Sequence, residues 1–227
     1  KNCFLILCEQ LQRSIRIMRI WRTFFTLITF LWWDGRSWTY LKGFTKEQRQ
    51  IRQGIRANWL AKQLITLGSA FIKLGQLLSA RPDVLPAGWV VQLADLQDKV
   101  PPFSFKKVQF LLEQELGEKC LGIAQLDQEP IGAASLAQVH RASLSSGREV
   151  VFKIQRPGLE KLFRLDLDVM QQVAALLQYH PNFGRGRDWV GISKECRRVL
   201  LRELDFRKEA QYAARFRQQF LDDSRIY

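Results

Sequence analysis

Near residue 120 the spacing of the apolar residues changes from a helical to a strand-like period, which restricts the fold to helices combined with a small sheet. Before this point, apolar residues recur three and four positions apart, as one face of a helix requires. They are Ile51, Ile55, Trp59, Leu60, Leu64 and Leu67. After it, three short segments have strand character, at 121–128, 138–144 and 148–154. Helical segments return beyond residue 158, so the order of the elements predicts an α+β fold.

Caps and breakers indicate where these elements end. Thr45 and Gln48 form a capping-box pattern, Gly68 permits a bend, and Gly117 closes a helix. Ser145-Ser146-Gly147 joins two strands as a tight hairpin. The predicted helices cover 45–80 with the bend at residue 68, then 88–96, 104–116, 159–177 and, without interruption, 192–220.

Positive charge is concentrated at the start of the chain. Residues 1–62 hold twelve lysines and arginines against three acids, a net charge of +9 out of a total of +13 for all 227 residues. A basic end on a nearly neutral body predicts an anionic partner, either lipid headgroups or nucleic acid. The nucleic-acid alternative is disfavoured, because the basic residues lie beside a Trp- and Phe-rich run and no nucleic-acid-binding motif accompanies them.

Residues 1–42 have the composition of a membrane-surface segment. Arginines recur every third residue at positions 13, 16, 19 and 22, and an uncharged run of eleven residues follows at 23–33. Eleven residues are too few for a membrane span, which needs about 20. The segment is expected to lie in the headgroup plane, with Trp32, Trp33 and Trp38 at the interface and the arginines on lipid phosphates. Two alternatives stay open: a helix packed on the rest of the protein with its arginines in water, and a truncated span or targeting peptide.

Cysteine and histidine usage excludes the common metal-site patterns. The four cysteines form no C-x-x-C pair, and His140 and His180 are the two histidines of the chain. We therefore predict no metal site within this chain and reduced thiols in a reducing compartment. His140 is expected to be a structural strand residue, and Asp166 and Asp168 are expected to be solvated or paired with Arg164.

Lys153 is the first candidate for chemistry. Strand alternation places Val151 and Lys153 on one face and Phe152 and Ile154 on the other. A lysine buried there needs a counter-charge, whereas a lysine on an edge strand faces water. The acids for such a pair lie on the 192–220 segment.

On that segment, Asp205 and Glu209 are four residues apart, so in a continuous helix they share a face and repel each other unless a cation meets them. Glu203 and Arg207, at the same spacing, indicate an ordinary surface pair.

Two further motifs stand out. Gly132-Ala133-Ala134-Ser135 lies between the first two predicted strands, where small residues let backbone N–H groups approach phosphate oxygens; the alternative is an ordinary turn. Lys73-Leu74-Gly75-Gln76 lies within a helix and places Lys73 and Gln76 on one face. Gly75 costs about 1 kcal/mol there relative to alanine, so a close contact is expected to require it. Taken alone, this motif indicates a surface lysine beside a helix-packing glycine.

Together, in this order, the motifs resemble those of the UbiB/ADCK-type atypical kinase family, in which a Lys-x-Gly-Gln helix precedes a kinase-like core. The resemblance covers residues 58–227. It implies an ion pair between Lys153 and Glu209 at an ATP site, with the loop Gly132, Ala133, Ala134 and Ser135 on the phosphates. It also implies that Lys73 and Gln76 lie across the cleft, with Lys73 directed at Glu203 and Asp205, where they limit the access of protein substrates. The family's loop is rich in alanine, and Gly132 stands where some members have alanine.

The predicted organisation has three parts: a membrane-surface segment at 1–42, indicated by composition, and, in line with the resemblance, a helical extension at 43–117 and a kinase-like small lobe at 118–227. The catalytic loop and the ligands for Mg²⁺ are expected beyond Tyr227, so the chain is expected to be a piece of a larger enzyme and inactive alone. The implied function is that of an atypical kinase or ATPase that binds ATP with Mg²⁺ and supports ubiquinone or plastoquinone biosynthesis.

The expected partners are an anionic membrane and prenylquinone-pathway lipids or proteins, with no nucleic acid. The expected location is a membrane facing a bacterial cytoplasm or an organelle interior. The alternative is a non-catalytic module of the same fold that binds a membrane or a partner.

Overall fold

A computed structural model describes residues 2–40, 45–83, 85–96, 102–181 and 184–221. The expectations for the Trp38 side chain and for everything after residue 221 lie outside this part. The helices are α1 (Asn2–Asp34), α2 (Lys46–Leu67), α3 (Ser69–Ser79), α4 (Ala87–Ala94), α5 (Phe105–Leu116), α6 (Leu159–Tyr179), α7 (Trp189–Glu203) and α8 (Phe206–Gln219). The strands are β1 (Ile123–Leu126), β2 (Gly132–Ala133), β3 (Ala137–Leu144) and β4 (Glu149–Gln155).

Local signals set most of these boundaries. The Thr45 side chain accepts a hydrogen bond from the backbone N–H of Gln48 at 3.2 Å and starts α2, as its capping pattern predicts. Gly68, with φ of +88°, separates α2 from α3. Gly117, with φ of +55°, ends α5. Both conformations lie in the region that favours glycine, which explains why the predicted bend and stop occur at these positions.

The predicted uninterrupted helix over 192–220 is wrong, because the chain forms two helices there. α7 ends at Glu203 and α8 begins at Phe206, with Asp205 as the residue that caps α8. The Asp205 carboxylate accepts a hydrogen bond from the backbone N–H of Lys208 at 3.3 Å. Asp205 therefore precedes the helix that carries Glu209, and no repulsion along one continuous face arises. The preference of aspartate for the position before a helix therefore outweighed the helical spacing of the apolar residues, which alone favours one continuous helix.

The sheet is antiparallel and centred on β3. β4 pairs with one edge of β3, and both β1 and β2 pair with the other edge. Two details differ from the prediction. Residues 132 and 133 form a short strand rather than a loop, and a 3₁₀ helix over Gly117–Gly122 shortens β1 at its start. The inner residues Phe152 and Ile154 pack with Val108 and Leu112 of α5.

A larger apolar core joins the helices. Leu64, Phe71, Leu93, Phe163 and Leu200, from five different helices, are buried in it. The first helix packs on this core through a second set of residues, Ile17, Ile20 and Trp21. Burial of this kind stabilises by about 25 cal/mol per Å² of apolar surface, so α1 is part of the folded body.

A buried ion pair also holds α1 in place. Arg16 donates two hydrogen bonds to Asp166 on α6, at 2.8 and 2.6 Å, and a third to the carbonyl of Leu67 at 2.6 Å. Asp166 is completely buried. Its burial raises the pKa of Asp166, and the hydrogen bond from Arg16 opposes that rise. The Arg16 side chain therefore faces the protein interior and not lipid phosphates.

The expectation that Asp166 is solvated or paired with Arg164 is likewise wrong. Arg164 instead pairs with Glu160 at 2.7 Å, one helical turn before it. Asp168 pairs with Arg197 of α7 at 2.7 Å. Pairing between helices α6 and α7 depends on how the helices pack, so the spacing along the chain did not reveal it.

Candidate functional site

A cleft of about 510 Å³ lies between the end of the sheet, α3 and the break between α7 and α8. Seven of the ten predicted site residues line it: Lys73, Ala134, Ser135, Lys153, Glu203, Asp205 and Glu209. The remaining three, Gly132, Ala133 and Gln76, are not among its lining residues. The fold thus brings together most of a set that is scattered over 137 positions of the chain.

Lys153 and Glu209 form the central contact of the cleft. Strand alternation puts Lys153 on the outer face of β4, and its Nζ atom lies 2.6 Å from Oε1 and 2.8 Å from Oε2 of Glu209. The Phe206 ring centre is 4.5 Å from the same Nζ atom. The predicted ion pair is therefore present. The side chains are 44% and 57% exposed, so this pair adds at most about 1 kcal/mol to stability.

Helix α8 carries Glu209 to this position although none of its residues is buried. Gln155 at the end of β4 donates a hydrogen bond to the carbonyl of Leu204 at 2.9 Å, which ties the sheet to the break before α8. Glu209 lies in the first turn of α8, where the helix dipole favours a negative charge. The break before α8, which the predicted continuous helix did not include, thus directs the first turn of α8 at Lys153.

The loop after β2 forms another wall of the cleft. Ser69 donates a hydrogen bond to the carbonyl of Ser135 at 2.8 Å, and Arg156 donates one to the carbonyl of Ala134 at 3.2 Å. Both carbonyls are thereby engaged. The Ser135 hydroxyl is buried and has no hydrogen-bond partner within the described part of the chain. Such a group costs about 1–3 kcal/mol, so an oxygen-rich ligand entering the cleft would relieve it.

Lys73 reaches the cleft from α3. Its Nζ atom lies 3.8 Å from Oε2 of Glu203, the last residue of α7. Asp205, the other acid implied for Lys73, pairs with Lys208 at 3.2 Å. Two hydrogen bonds from Lys208 lower the pKa of Asp205. The bond from the ammonium group has the larger effect, and the bond from the backbone N–H has the smaller one. Of the two acids, Glu203 is therefore the one in ion-pair contact with Lys73.

The other half of the Lys-x-Gly-Gln motif faces away from the cleft. Gln76 donates a hydrogen bond to the carbonyl of Leu96 at 2.6 Å. A Cβ atom on Gly75 would overlap the Leu96 side chain and lie 3.0 Å from Cδ1 of Leu64. The close contact expected at Gly75 therefore exists, and it is a packing contact with Leu64 of α2 and with Leu96, which follows α4. Lys73 and Gln76 are three residues apart, but Lys73 contacts Glu203 whereas Gln76 contacts Leu96.

Comparison with known proteins identifies the family. Residues 95–227 match the model of the ABC1 atypical kinase-like domain. The chain belongs to the ABC1 atypical kinase-like family. The predicted resemblance is thus confirmed, together with the fold of a kinase-like small lobe preceded by helices.

Individual relatives of this ABC1 chain come from plastids and bacteria. It is 44% identical to ACTIVITY OF BC1 COMPLEX KINASE 7, chloroplastic, of Arabidopsis thaliana, over 93% of this chain and 30% of that protein. It is 38% identical to a probable protein kinase UbiB of Cellvibrio japonicus, over 76% of this chain and 31% of that protein. It is 44% identical to an uncharacterized protein of Synechocystis, over 90% of this chain and 35% of that protein. The chain thus spans about a third of the length of these relatives.

Sequence reasoning missed several residues of the ABC1 cleft. Phe206, Lys208 and Tyr212 of α8 line it, together with Arg202 of α7. Asp205 followed by a helical stretch is a helix-start signal, and reading it as one would have placed Phe206 and Lys208 in a first turn beside Glu209. No comparable local pattern in the sequence indicates that Arg202 lines the cleft.

His140 has a structural role in this ABC1 domain, as predicted. The ring is fully buried; Nδ1 lies 2.8 Å from the carbonyl oxygen of Asp127, and Nε2 lies 2.8 Å from Nε2 of Gln138. Nδ1 therefore carries the proton and donates to Asp127, while Nε2 accepts from the Gln138 amide. Within the described residues, no cluster of histidine, cysteine, aspartate and glutamate has the arrangement of a metal site.

Proposed function

We propose that the cleft binds the phosphate groups of ATP and that the chain is the nucleotide-binding small lobe of an ABC1 atypical kinase or ATPase. The observation that carries this proposal is the Lys153–Glu209 pair, with Nζ to Oε distances of 2.6 and 2.8 Å. The pair lines the same cleft as the Ser135 hydroxyl, which has no hydrogen-bond partner among the described residues. A half-exposed lysine held by a carboxylate is a cation already oriented for a phosphate group.

Each residue has a defined part in this proposal. Lys153 neutralises phosphate charge, Glu209 orients the ammonium, and the Ser135 hydroxyl donates to a phosphate oxygen. Ala134 narrows the range of loop conformations compared with glycine, so the loop approaches the nucleotide as a stiffer element. Because the chain spans about a third of the length of its relatives, binding of ATP with Mg²⁺ is proposed for this cleft and catalysis is proposed for the whole protein.

Helix α3 is proposed to restrict the cleft to small or lipid-linked substrates. Lys73 lines the cleft and contacts Glu203 of α7 at 3.8 Å, which links α3 to one of its walls. A helix anchored there obstructs an extended peptide on its way to the terminal phosphate. This arrangement favours ATPase chemistry or a small acceptor over phosphorylation of proteins.

A membrane surface is the proposed location, because α1 exposes apolar residues on the side away from the core. Leu7, Leu11, Met18, Phe25 and Trp32 are exposed and follow spacings of four and seven residues, which we call the outer stripe. Arg13, Arg19 and Arg22 of α1 are exposed as well. No helix in the described part of the chain is long and apolar enough to cross a bilayer. An α1 lying in the headgroup plane would bury the stripe and hold the arginines near lipid phosphates.

The biological role proposed for the whole protein is support of ubiquinone or plastoquinone biosynthesis at such a membrane, with prenylquinone-pathway lipids or proteins as partners. A reducing compartment is proposed for the lobe, and the free thiols of Cys8, Cys120 and Cys196 fit it. The outer stripe also favours a second candidate, a non-catalytic module that binds a membrane without nucleotide.

Titration with a fluorescent ATP analogue and Mg²⁺, on the 227-residue chain and on the full product of its gene, tests the nucleotide proposal. Lys153→Met should weaken binding at least about tenfold, equivalent to about 1.4 kcal/mol. Lys161→Met, which removes an exposed lysine of α6 outside the cleft, is the matched control and should leave binding unchanged. Equal affinities for both variants, or vesicle binding without any nucleotide binding, would favour the non-catalytic module.

A further inference from the structure

A second cavity, of about 410 Å³, lies among helices α1, α2, α3, α4, α6 and α7. It shares no lining residue with the nucleotide cleft. Its walls are almost entirely apolar, with contributions from Phe24, Leu27, Leu64, Leu93 and Leu177. Protein interiors hold few voids larger than a water molecule, whereas pockets for small ligands measure about 300–1,000 Å³. The volume therefore matches a ligand pocket.

One polar group in this apolar wall lacks a partner. Ser193 of α7 lines the cavity and is 8% exposed, and its hydroxyl makes no hydrogen bond within the described residues. Thr23, also in the wall, already donates to the carbonyl of Arg19 at 3.0 Å. The two other polar residues of the lining, Gln53 and Arg187, are exposed to solvent. A stable buried water needs two to four polar partners, more than the Ser193 hydroxyl supplies in the buried part of the wall. A ligand with a single oxygen on an otherwise apolar body would satisfy the serine and fill the space.

The position of α1 indicates where such a molecule would come from. Phe24, Leu27 and Leu31 face the cavity, while Phe25 and Trp32 of the outer stripe are exposed. The cavity is thus lined by the same helix that is proposed to rest on the membrane. The source of the ligand depends on that proposal, but binding itself does not.

We propose that this cavity binds one hydrocarbon chain, straight or isoprenoid, that ends in an oxygen hydrogen-bonded to Ser193. The chain would lie against the side chains of α1, α2, α6 and α7, and its terminal oxygen would accept from, or donate to, the Ser193 hydroxyl. The site is separate from the nucleotide cleft, although α3 and α7 contribute residues to both.

Energy transfer from tryptophan to cis-parinaric acid, measured on the 227-residue chain, tests this proposal, because Trp89 and Trp189 line the cavity. Ala174→Phe places a ring in the cavity and should weaken binding of the probe at least about tenfold. Leu176→Phe, two residues along α6 at an exposed position outside the cavity, is the matched control and should bind as the unchanged chain does. Absence of saturable binding, or equal effects of the two substitutions, would overturn the proposal.

Ser193→Ala provides a second measurement that does not depend on filling the cavity. Because the hydroxyl makes no hydrogen bond within the part of the chain that the structure describes, its removal should leave the thermal midpoint equal or higher. Farnesol should compete with the probe about three- to tenfold less well in this variant, whereas farnesene, which lacks the oxygen, should compete unchanged. Dodecanol in place of farnesol reports whether a straight chain is preferred. Equal effects on farnesol and farnesene would contradict the assigned hydrogen bond.

The outcomes for the two sites are distinguishable. Lys153→Met should leave probe binding intact, and Ser193→Ala should leave binding of the ATP analogue intact. Failure of nucleotide binding therefore leaves the apolar site standing, and failure of probe binding leaves the nucleotide cleft standing.

Discussion

Two residues of this chain occupy positions that are costly for their type, and a neighbour explains each one. Gly75 lies inside α3, where it lacks the helix preference of alanine, because side chains of Leu64 and Leu96 occupy the space of its missing Cβ atom. Asp166 is a fully buried carboxylate and is tolerated because Arg16 binds both of its oxygens. Gly75 allows α3 to pack closely on α2, and Asp166 fixes α1 on α6 through Arg16.

Gly75→Ala should destabilise the chain by up to about 2 kcal/mol, because an overpacking cost of about 1–3 kcal/mol opposes a gain in helix propensity of about 1 kcal/mol. Gly54→Ala is the matched control, since a Cβ atom on Gly54 of α2 meets nothing within 4 Å. That control should stabilise by about 0.5–1 kcal/mol. Urea unfolding of both variants measures the difference, and equal shifts would contradict the packing role of Gly75.

Arg16→Ala should destabilise by about 3–5 kcal/mol at pH 7, because it leaves Asp166 charged and unpaired in the core. Arg13→Ala, at an exposed position of the same helix, should stay within about 0.5 kcal/mol. Burial already raises the pKa of Asp166, and losing Arg16 raises it further. The protonated acid needs no counter-charge, so the deficit should shrink as the pH falls towards that raised pKa. Urea unfolding at pH 7 and at about pH 5 measures the free energy that Arg16→Ala loses relative to the unchanged chain. An equal loss at both pH values would argue against a charged Asp166.

Among the elements, α1 has two apolar sides with different partners. Its inner side packs on the core through Ile17, Ile20 and Trp21. Its outer stripe lies exposed beside three arginines, whereas Arg16 is withdrawn into the ion pair with Asp166. Monomeric proteins rarely expose long apolar stripes, which often mark an interaction surface. The expected membrane-surface position of this segment and its alternative, a helix packed on the rest of the protein, are thus compatible, since a packed helix still presents the outer stripe.

Replacement of Arg13, Arg19 and Arg22 by glutamine should weaken binding to anionic vesicles by about 1 kcal/mol per residue at low salt. The same change at Arg141, Arg148 and Arg215, which are exposed outside α1, alters the net charge equally and should have little effect. Vesicle flotation at increasing salt measures both variants. Binding that resists salt and yields only to detergent would indicate insertion through the bilayer instead.

In the whole molecule, helices α3 and α7 contribute residues to both the cleft and the apolar cavity. Lys73 of α3 and Glu203 of α7 line the proposed nucleotide cleft, while Phe71 and Ser193 of the same helices line the apolar cavity. The Lys73–Glu203 contact at 3.8 Å joins the two helices at the cleft. Any change in the relative position of these helices therefore affects both spaces.

Lys73→Ala should change the affinity for the ATP analogue or the self-phosphorylation of the full gene product, because it removes a cation and a helix–helix contact from the cleft. Glu203→Gln should act in the same sense if the contact matters. Lys62→Ala, at an exposed position of α2, is the control. Unchanged nucleotide affinity and unchanged ATP turnover in Lys73→Ala would exclude a gating role for this helix.

Features that depend on neighbouring residues were readable from the sequence. The strand alternation that exposes Lys153, the cap at Thr45 and the bend at Gly68 each rest on a few consecutive positions. Lys153 and Glu209 were paired through the ordered motifs of the family, not through spacing. The break before α8 was also signalled locally, by Asp205, but the apolar period across it carried more weight in the prediction.

Contacts between distant parts of the chain were decided by the tertiary structure alone. Arg16 and Asp166 are 150 positions apart, and Gln76 and Leu96 are 20 apart, so no period or cap relates them. The Ser193 hydroxyl, which has no hydrogen-bond partner among the described residues, and the cavity around it result from the packing of six helices. Local patterns set the type and ends of an element because they act through hydrogen bonds within a few residues. The partner of a side chain depends on which surfaces meet after the helices and the sheet have packed.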